Sequence, residues 1–252
     1  MKKIFLLAAI LVSAAALAQW PGDFYVASKG GLSLREKQDA GSRLLTTIPY
    51  GAKIKLSYPD ESVPVTLEGM TGSWAKTTYG GKTGYVVNLY LLPWAVPVAA
   101  TKTLKQYLAR VSPAAGAAVN VKNGNPDLFE AGVTSMKKQI FRNGAEYHEE
   151  QFYESNNDSY FLPGFSMEQG FLLMRLIPEF SPVFDTKAPF PLESKKYQRN
   201  GKEYSLVVEK ETLSETYTII TRIKVEYEDG VFYTFEMFLL GGQLVISFGG
   251  GV

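Results

Sequence analysis

The sequence contains no cysteine and a single histidine, His148, and these two scarcities exclude several classes of site. Without cysteine there is no disulfide, no thiolate nucleophile and no cysteine-ligated metal. One histidine excludes a site built on several imidazole ligands. Neither sign of charge is in excess, since 26 Lys and Arg face 25 Asp and Glu. Binding driven by charge to nucleic acid needs clustered basic residues that displace counterions, so we expect no nucleic-acid partner.

Long apolar runs are also missing, except at the start of the chain. Two lysines precede the apolar stretch 4–18, which ends in Ala16-Leu17-Ala18. A basic start, a short apolar core and a small-x-small site are typical of a secretory signal peptide. The run is shorter than the ~20 residues that cross a bilayer. We therefore predict cleavage after Ala18, no transmembrane segment after cleavage, and a location in the periplasm or outside the cell.

Short alternating segments separated by glycine and proline fill residues 24–92. The segment 53–58 alternates strictly, which places Ile54, Leu56 and Tyr58 on one face of a strand. Further strands are predicted at 25–27, 32–35, 45–48, 74–79 and 84–87, with Gly80-Gly81 as a tight hairpin turn. Several short strands joined by turns predict a small barrel or sandwich.

Four stretches follow one another in this region: Gly31–Glu36, Leu45–Ile54, Gly72–Lys76 and Gly80–Val86, with Tyr90-Leu91 after them. In this order and spacing they resemble the bacterial SH3 family (SH3b), from about Tyr25 to Leu92. The resemblance implies an all-β SH3-like barrel that binds peptides or cell-wall material, often beside a catalytic domain.

The sequence departs from the SH3b pattern at three places. Ser33 and Gln38 stand where the family often has Asn and Pro. The segment from Pro59 to Thr71 is longer than the usual connection. Because loops carry function more often than strands do, this long segment leaves the choice of ligand open.

Four aromatic residues of the SH3-like region are the predicted binding residues: Trp74, Tyr79, Tyr85 and Tyr90. The three tyrosines lie near glycine-rich turns, where a ring stacks on a peptide or sugar while its hydroxyl forms a hydrogen bond. Packing inside the barrel is the favoured role for Trp74, and for each tyrosine packing with the hydroxyl at the surface is favoured over ligand contact.

The rest of the chain has a different pattern. Prolines 93 and 97 disfavour helix just before them and indicate a linker at 94–100. A helix is predicted over 101–111, with Leu104, Tyr107, Leu108 and Val111 on one face, and a second helix runs from its cap at Ser166 to Ile177. The predicted organisation is a signal peptide at 1–18, an SH3-like domain at 19–93, the linker, and a domain at 101–252.

The clearest alternation in the chain covers residues 217–227. With turns at Asp229-Gly230 and Gly241-Gly242 it predicts an antiparallel meander of about four strands over 203–248. Together with the helices this indicates an α+β domain, and a small β-barrel holding a ligand is the alternative. The sequence also predicts a hairpin at Asn143-Gly144, a turn at 156–158, a surface loop over 178–191 and a frayed end at 249–251.

No segment has the pattern of a catalytic motif. Glu146, His148 and Glu150 share one strand face, where a solvated charged surface is favoured over a metal or acid–base cluster. Gly164–Glu168 has some likeness to a nucleophile elbow but lacks its final glycine, so Ser166 is interpreted as a helix cap. The 25 acidic residues still leave room for a glycosidase, which needs only two carboxylates.

These patterns predict an exported, non-enzymatic binding protein with no cofactor and no metal. The SH3-like module would recognise peptidoglycan, a peptide or a protein in the cell envelope, and the second domain would supply a further interaction surface. One alternative is a cell-wall-associated hydrolase that uses carboxylates of the C-terminal domain. Another is a small-ligand carrier with an apolar cavity in the C-terminal sheet. Two carboxylates facing each other in a cleft would favour the hydrolase, and a large cavity would favour the carrier.

Overall fold

The computed structural model of the protein describes residues 22–122, 134–215 and 217–251. The predicted signal peptide and its cleavage site lie outside these residues. Within the part of the chain that is described, no helix is long and apolar enough to cross a membrane.

Antiparallel strands dominate both halves of the chain. The N-terminal half contains β1 (Asp23–Val26), β2 (Leu32–Arg35), β3 (Leu44–Ile48), β4 (Lys53–Lys55), β5 (Pro64–Leu67), β6 (Met70–Tyr79), β7 (Lys82–Val87) and β8 (Leu91–Leu92). The C-terminal half contains α1 (Leu104–Val111), β9 (Val119–Lys122), β10 (Ser135–Ile140), β11 (Glu146–Gln151), β12 (Ser155–Pro163), α2 (Met167–Met174), β13 (Lys195–Arg199), β14 (Lys202–Ser214), β15 (Tyr217–Glu228), β16 (Phe232–Leu240) and β17 (Gln243–Gly251).

The N-terminal strands form two sheets, in the orders β4-β1-β8 and β3-β2-β7-β6-β5. Alternate residues of both sheets point between them and are buried, and we call this cluster the module core: Phe24, Val26, Leu32, Leu34, Ile48, Ile54, Leu56, Ala75, Val86 and Leu91. The expectation of a closed barrel needs correction. Strand β4 ends at Lys55, and beyond it a single bridge between Ser57 and Lys76 connects the two sheets among the described residues.

Glycine is needed in this module for two different reasons, one in turns and one inside a strand. Gly51 and Gly81 have φ of 79° and 75°, the left-handed region that favours glycine. Gly84 lies inside β7, where a Cβ would stand 2.3 Å from the backbone oxygen of Arg35. Each of these three positions therefore requires glycine, for positive φ or for close backbone approach.

The C-terminal strands form one nine-stranded antiparallel sheet in the order β13-β14-β15-β16-β17-β12-β11-β10-β9. The meander over 203–248 and the hairpin at Asn143-Gly144 are confirmed. Among the described residues β13 and β9 are the two edges, and the sheet is open rather than closed into a barrel. Both α-helices are only eight residues long, so the architecture is mostly β, and the α+β description remains an interpretation.

Two predictions within this sheet were wrong. Residues 156–158 were expected to form a turn, but they lie inside β12, opposite β11 and β17. Asn157 is held there because its side-chain amide donates to Glu150 at 2.7 Å and its carbonyl accepts from Ser247 at 2.8 Å. Residues 249–251 were expected to fray, but they form the end of β17 between β12 and β16. A Cβ on Gly249 would stand 2.2 Å from the Asn156 oxygen, so the glycines permit close strand packing.

One face of the nine-stranded sheet is covered by both helices and by the N-terminal module. Leu104, Tyr107 and Leu108 of α1 are fully buried against it, as the helical spacing predicts. Ser166 caps α2 in a capping box with Gln169, which confirms its predicted role as a helix cap.

The buried residues on this face form a continuous cluster, which we call the shared core because both halves contribute to it. Its N-terminal members are Ala27, Met70, Trp74, Val87, Leu89, Leu92 and Val96. The segment 178–191, predicted to cross the surface, also enters it through Phe180, Val183, Phe184 and Phe190. Apolar side chains spaced through a proline-rich loop are buried because the loop lies over the sheet.

Residues 94–100, the predicted linker, are fixed by side-chain contacts. The hydroxyl of Tyr50 donates to the Pro97 carbonyl at 2.7 Å, and the Trp94 ring stands edge-on to Phe165 with centroids 4.8 Å apart. The segment contains no helix or strand, bends at Trp94 and turns at 99–100, and it packs against both halves.

Candidate functional site

Trp74, the first of the predicted binding residues, lies inside β6 and is 5% exposed. Its indole belongs to the shared core, and its backbone N–H donates to the Val63 carbonyl at 3.0 Å. Strand β6 extends four residues further toward the N-terminus than the sequence indicated, which places Trp74 in the middle of a strand. This position corresponds to the favoured packing role for the residue.

The three tyrosines are half-buried and pack against two different cores. Tyr79, at the end of β6 beside the Gly80-Gly81 turn, packs against the module core. Tyr85, on β7, packs against the shared core, and Tyr90 touches both. Burial, and after it the carboxylate of Glu68, raises the pKa of the Tyr90 hydroxyl. Tyr79 and Tyr85 therefore retain partly exposed rings, while Tyr90 lies where the two halves meet.

The long segment from Pro59 to Thr71 contains β5, which pairs with β6 in a hairpin. At its tip the Glu68 carbonyl accepts a hydrogen bond from the Phe190 N–H at 2.7 Å, and the Glu68 carboxylate pairs with Arg175 at 2.7 Å. Glu68 has φ of 51°, and Gly69 has φ of 78°. This hairpin fastens the N-terminal module to the C-terminal half, a role that the sequence did not indicate.

Beside the hairpin tip lies a largely apolar cleft of about 480 Å³. Its walls come from Gly69 and Thr71 of the module, Met167 of α2, Phe190, and β15 at Ile219 and Ile220. The charged side chains of Glu168, Glu193 and Lys210 also line this cleft. It lies at the junction of the two halves and is not the apolar cavity within the C-terminal sheet that the carrier alternative requires.

A second cleft, of about 310 Å³, lies where the start of α1 meets β11 and β12. We call it the acidic cleft, because the carboxylates of Glu149, Asp158 and Glu179 line it together with Lys105, Tyr147 and Tyr160. Glu149 and Asp158 stand directly opposite each other on the two strands. Like charges in that position repel.

Hydrogen bonds fix two of these carboxylates. The Tyr147 hydroxyl donates to Oδ1 of Asp158 at 2.7 Å, and the Leu104 backbone N–H donates to Oε2 of Glu179 at 2.7 Å. Burial raises the pKa of both the Asp158 and the Glu179 carboxyl above the ordinary values. Among the described residues neither carboxylate forms an ion pair, whereas Glu149 pairs with Lys105 at 3.4 Å.

The sequence pattern does not indicate the acidic cleft, because its members come from four separate elements. The one local signal is the alternation within strands, which puts Tyr147 with Glu149 and Asp158 with Tyr160 on the same faces. The three residues that were singled out, Glu146, His148 and Glu150, lie on the opposite face of the sheet. His148 Nε2 is 3.1 Å from Glu146 Oε2, and in the described part of the chain no group of three acidic or histidine side chains is arranged to hold a metal ion.

Asp158 should make the free energy of unfolding fall as the pH rises. A surface carboxylate with a lowered pKa has the opposite effect. Since the folded-state pKa is raised above 3.8, the folded protein binds this proton more tightly than the unfolded chain does. The free energy of unfolding therefore falls as the pH rises through this window. Asp158→Asn removes this effect. In urea unfolding, the free energy of unfolding of the variant should therefore increase relative to that of the wild type as the pH rises from about 4 to 7.

Asp23→Asn is the matched control for this measurement. A hydrogen bond from Lys53 lowers the pKa of Asp23. The Asp23 carboxylate therefore stabilises the fold above the unfolded-state pKa. The free energy of unfolding of Asp23→Asn should decrease relative to that of the wild type as the pH rises. Parallel pH profiles for the wild type and Asp158→Asn would contradict the burial argument.

Comparison with known proteins identifies only the N-terminal half. Residues 30–91 match the bacterial SH3 domain family. The match covers about a quarter of the chain and confirms the resemblance carried by the glycine and tryptophan motifs. The SH3 module so defined runs from β2 to β8 and includes all four predicted binding residues. No curated protein and no solved structure matches the chain.

Proposed function

We propose that the protein is an exported, non-enzymatic binding protein of the cell envelope. Its SH3 module recognises peptidoglycan or a peptide, and its C-terminal sheet offers a second interaction surface. The match of residues 30–91 to the bacterial SH3 domain family carries this proposal. Export is supported by the basic start, the apolar stretch 4–18 and the Ala16–Ala18 site.

Tyr79 and Tyr85 are the residues we expect to contact the ligand, because both rings are partly exposed. Each ring contact contributes about 1 kcal/mol beyond area burial. A small surface of this kind binds in the micromolar to millimolar range. Removal of Lys2 and Lys3 with the signal peptide leaves the mature chain nearly neutral. Its affinity should therefore depend only weakly on salt.

Co-sedimentation of the purified protein with peptidoglycan sacculi tests the proposal. The wild type should pellet with the sacculi at low and at moderate salt, and Tyr85→Ala should bind about five-fold more weakly, the equivalent of about 1 kcal/mol. Tyr153→Ala is the matched control, since Tyr153 is 59% exposed and lies in the C-terminal half. A wild-type protein that stays in the supernatant would overturn peptidoglycan binding.

The proposed export is tested separately, by determining the N-terminus of the mature protein. Mass analysis of the protein isolated from the cells that make it should give a chain beginning at Gln19. A chain that retains residues 1–18 in the cytoplasm would overturn the proposed location.

A further inference from the structure

An apolar groove runs along the outer side of α1. It has a volume of about 300 Å³, and its apolar lining comes from Ala109, Ala114, Ala118, Phe141 and Tyr147. Its polar lining consists of Lys105, Lys137, Gln139 and Glu149. The small alanine side chains leave the space open beside the two rings. The chain after α1 is fixed at this place, because the Ala115 N–H donates to the Ile140 carbonyl at 2.9 Å and the Arg142 N–H donates to the Pro113 carbonyl at 3.0 Å. The groove is therefore a formed cavity of the fold.

The apolar groove adjoins the acidic cleft. Lys105, Tyr147 and Glu149 line both, so a ligand in the groove reaches the carboxylates within a short distance. The boundary already holds one ammonium group, since Lys105 Nζ stands 4.4 Å from the centre of the Tyr147 ring. An aromatic face beside carboxylates is an environment that attracts organic cations.

The acidic cleft has a single cationic side chain in its described lining, Lys105. Lys105 is paired with Glu149, while Asp158 and Glu179 have no ion-pair partner among the described residues. Partly buried carboxylates without a cation are costly, and a bound cation would compensate them. The described side chains offer no metal-binding group of three acidic or histidine ligands. An organic ammonium group, which needs only one or two carboxylates, fits this charge better than a metal ion does.

From this combination we propose that the apolar groove and the acidic cleft form one binding site for a small organic ammonium compound. Its apolar body lies in the groove, and its ammonium group lies against the carboxylates of Asp158 and Glu179. The site is on the C-terminal half and does not depend on whether the SH3 module binds peptidoglycan.

Three phenyl compounds of similar size and different charge test this site on the purified protein at neutral pH. They are 2-phenylethylammonium, the neutral 2-phenylethanol and the anionic 3-phenylpropanoate, each titrated by calorimetry and by ligand-observed NMR. We expect the ammonium compound to bind at least ten-fold more tightly than the alcohol, and the anion to bind most weakly. Equal affinity for the ammonium compound and the alcohol would overturn the proposal.

Variants locate the two parts of the site. Asp158→Asn and Glu179→Gln keep hydrogen-bond acceptors for Tyr147 and Leu104, and each should remove most of the preference for the ammonium compound. Asp229→Asn is the control, because Asp229 pairs with Lys202 at a distant turn and should leave the preference unchanged. Ala109→Leu fills the groove and should weaken the binding of the ammonium compound and of the alcohol at least five-fold each. If the carboxamide variants fold and retain the full preference, the ammonium group binds elsewhere and the assignment is wrong.

Discussion

Phe171→Ala is expected to lower the free energy of unfolding by about 3–5 kcal/mol. The side chain is fully buried in α2, and its ring meets those of Phe184 and Phe190 edge-on, with centroids 5.2 and 5.3 Å apart. Truncation leaves a cavity between the helix and the loop that lies over the sheet. For a chain of this size each kcal/mol lowers Tm by about 2–4 °C, so Tm should fall by roughly 6–20 °C.

The same variant should also weaken the SH3 module, because the shared core contains Met70, Trp74 and Leu89 of that module. Amide hydrogen exchange measures this, and exchange in β6 and β7 should accelerate together with exchange in α2. Phe232→Ala is the control, since Phe232 is half exposed on the other face of the sheet and its loss should change stability by less than about 0.5 kcal/mol.

This measurement also bears on the predicted domain boundary after residue 93. If β6 and β7 keep their protection while the C-terminal half opens, the SH3 module folds independently, as the proline-bracketed linker predicts. Joint loss of protection would show one cooperative unit. A loss of less than 1 kcal/mol in Phe171→Ala would contradict the tight packing around this ring.

Gly170→Ala should destabilise the protein by about 1 kcal/mol, and Gly170→Val by about 3 kcal/mol. Helix propensity alone predicts the opposite sign for alanine, a gain of about 1 kcal/mol. The structure reverses it, because a Cβ at this position would stand 2.2 Å from Cδ2 of Leu244 and 2.9 Å from Sδ of Met237. Both neighbours are fully buried in the sheet, so they have little room to move.

A double-mutant cycle isolates this contact. In the background of Leu244→Ala, which removes the nearest atoms, Gly170→Ala should cost less than in the wild type or should become stabilising. Chemical unfolding of the four proteins gives the coupling free energy. An increase in Tm for Gly170→Ala alone would show that α2 can move away from the sheet.

Local patterns in the sequence determined the elements whose formation depends on neighbouring residues. Strict alternation predicted β4 and β15, paired turn residues such as Asn143-Gly144 predicted hairpins, and helical spacing predicted α1 with its buried face. The SH3 motifs belong to the same class, because ordered short segments with fixed turns specify that module. The sequence also placed Trp74 on a strand, but at its start, whereas β6 begins at Met70.

Only the tertiary structure decided how distant segments meet. Gly249–Gly251 reads as a loose end, yet these residues pair on both sides because glycine lets β12 approach. Asp158 and Glu179 are separated by a helix and a loop, and only packing of α1 on the sheet brings them into one cleft. The hairpin tip at Glu68 contacts Arg175 more than 100 residues away. Such contacts depend on how whole helices and strands pack in three dimensions, and local periodicity in the sequence does not predict that packing.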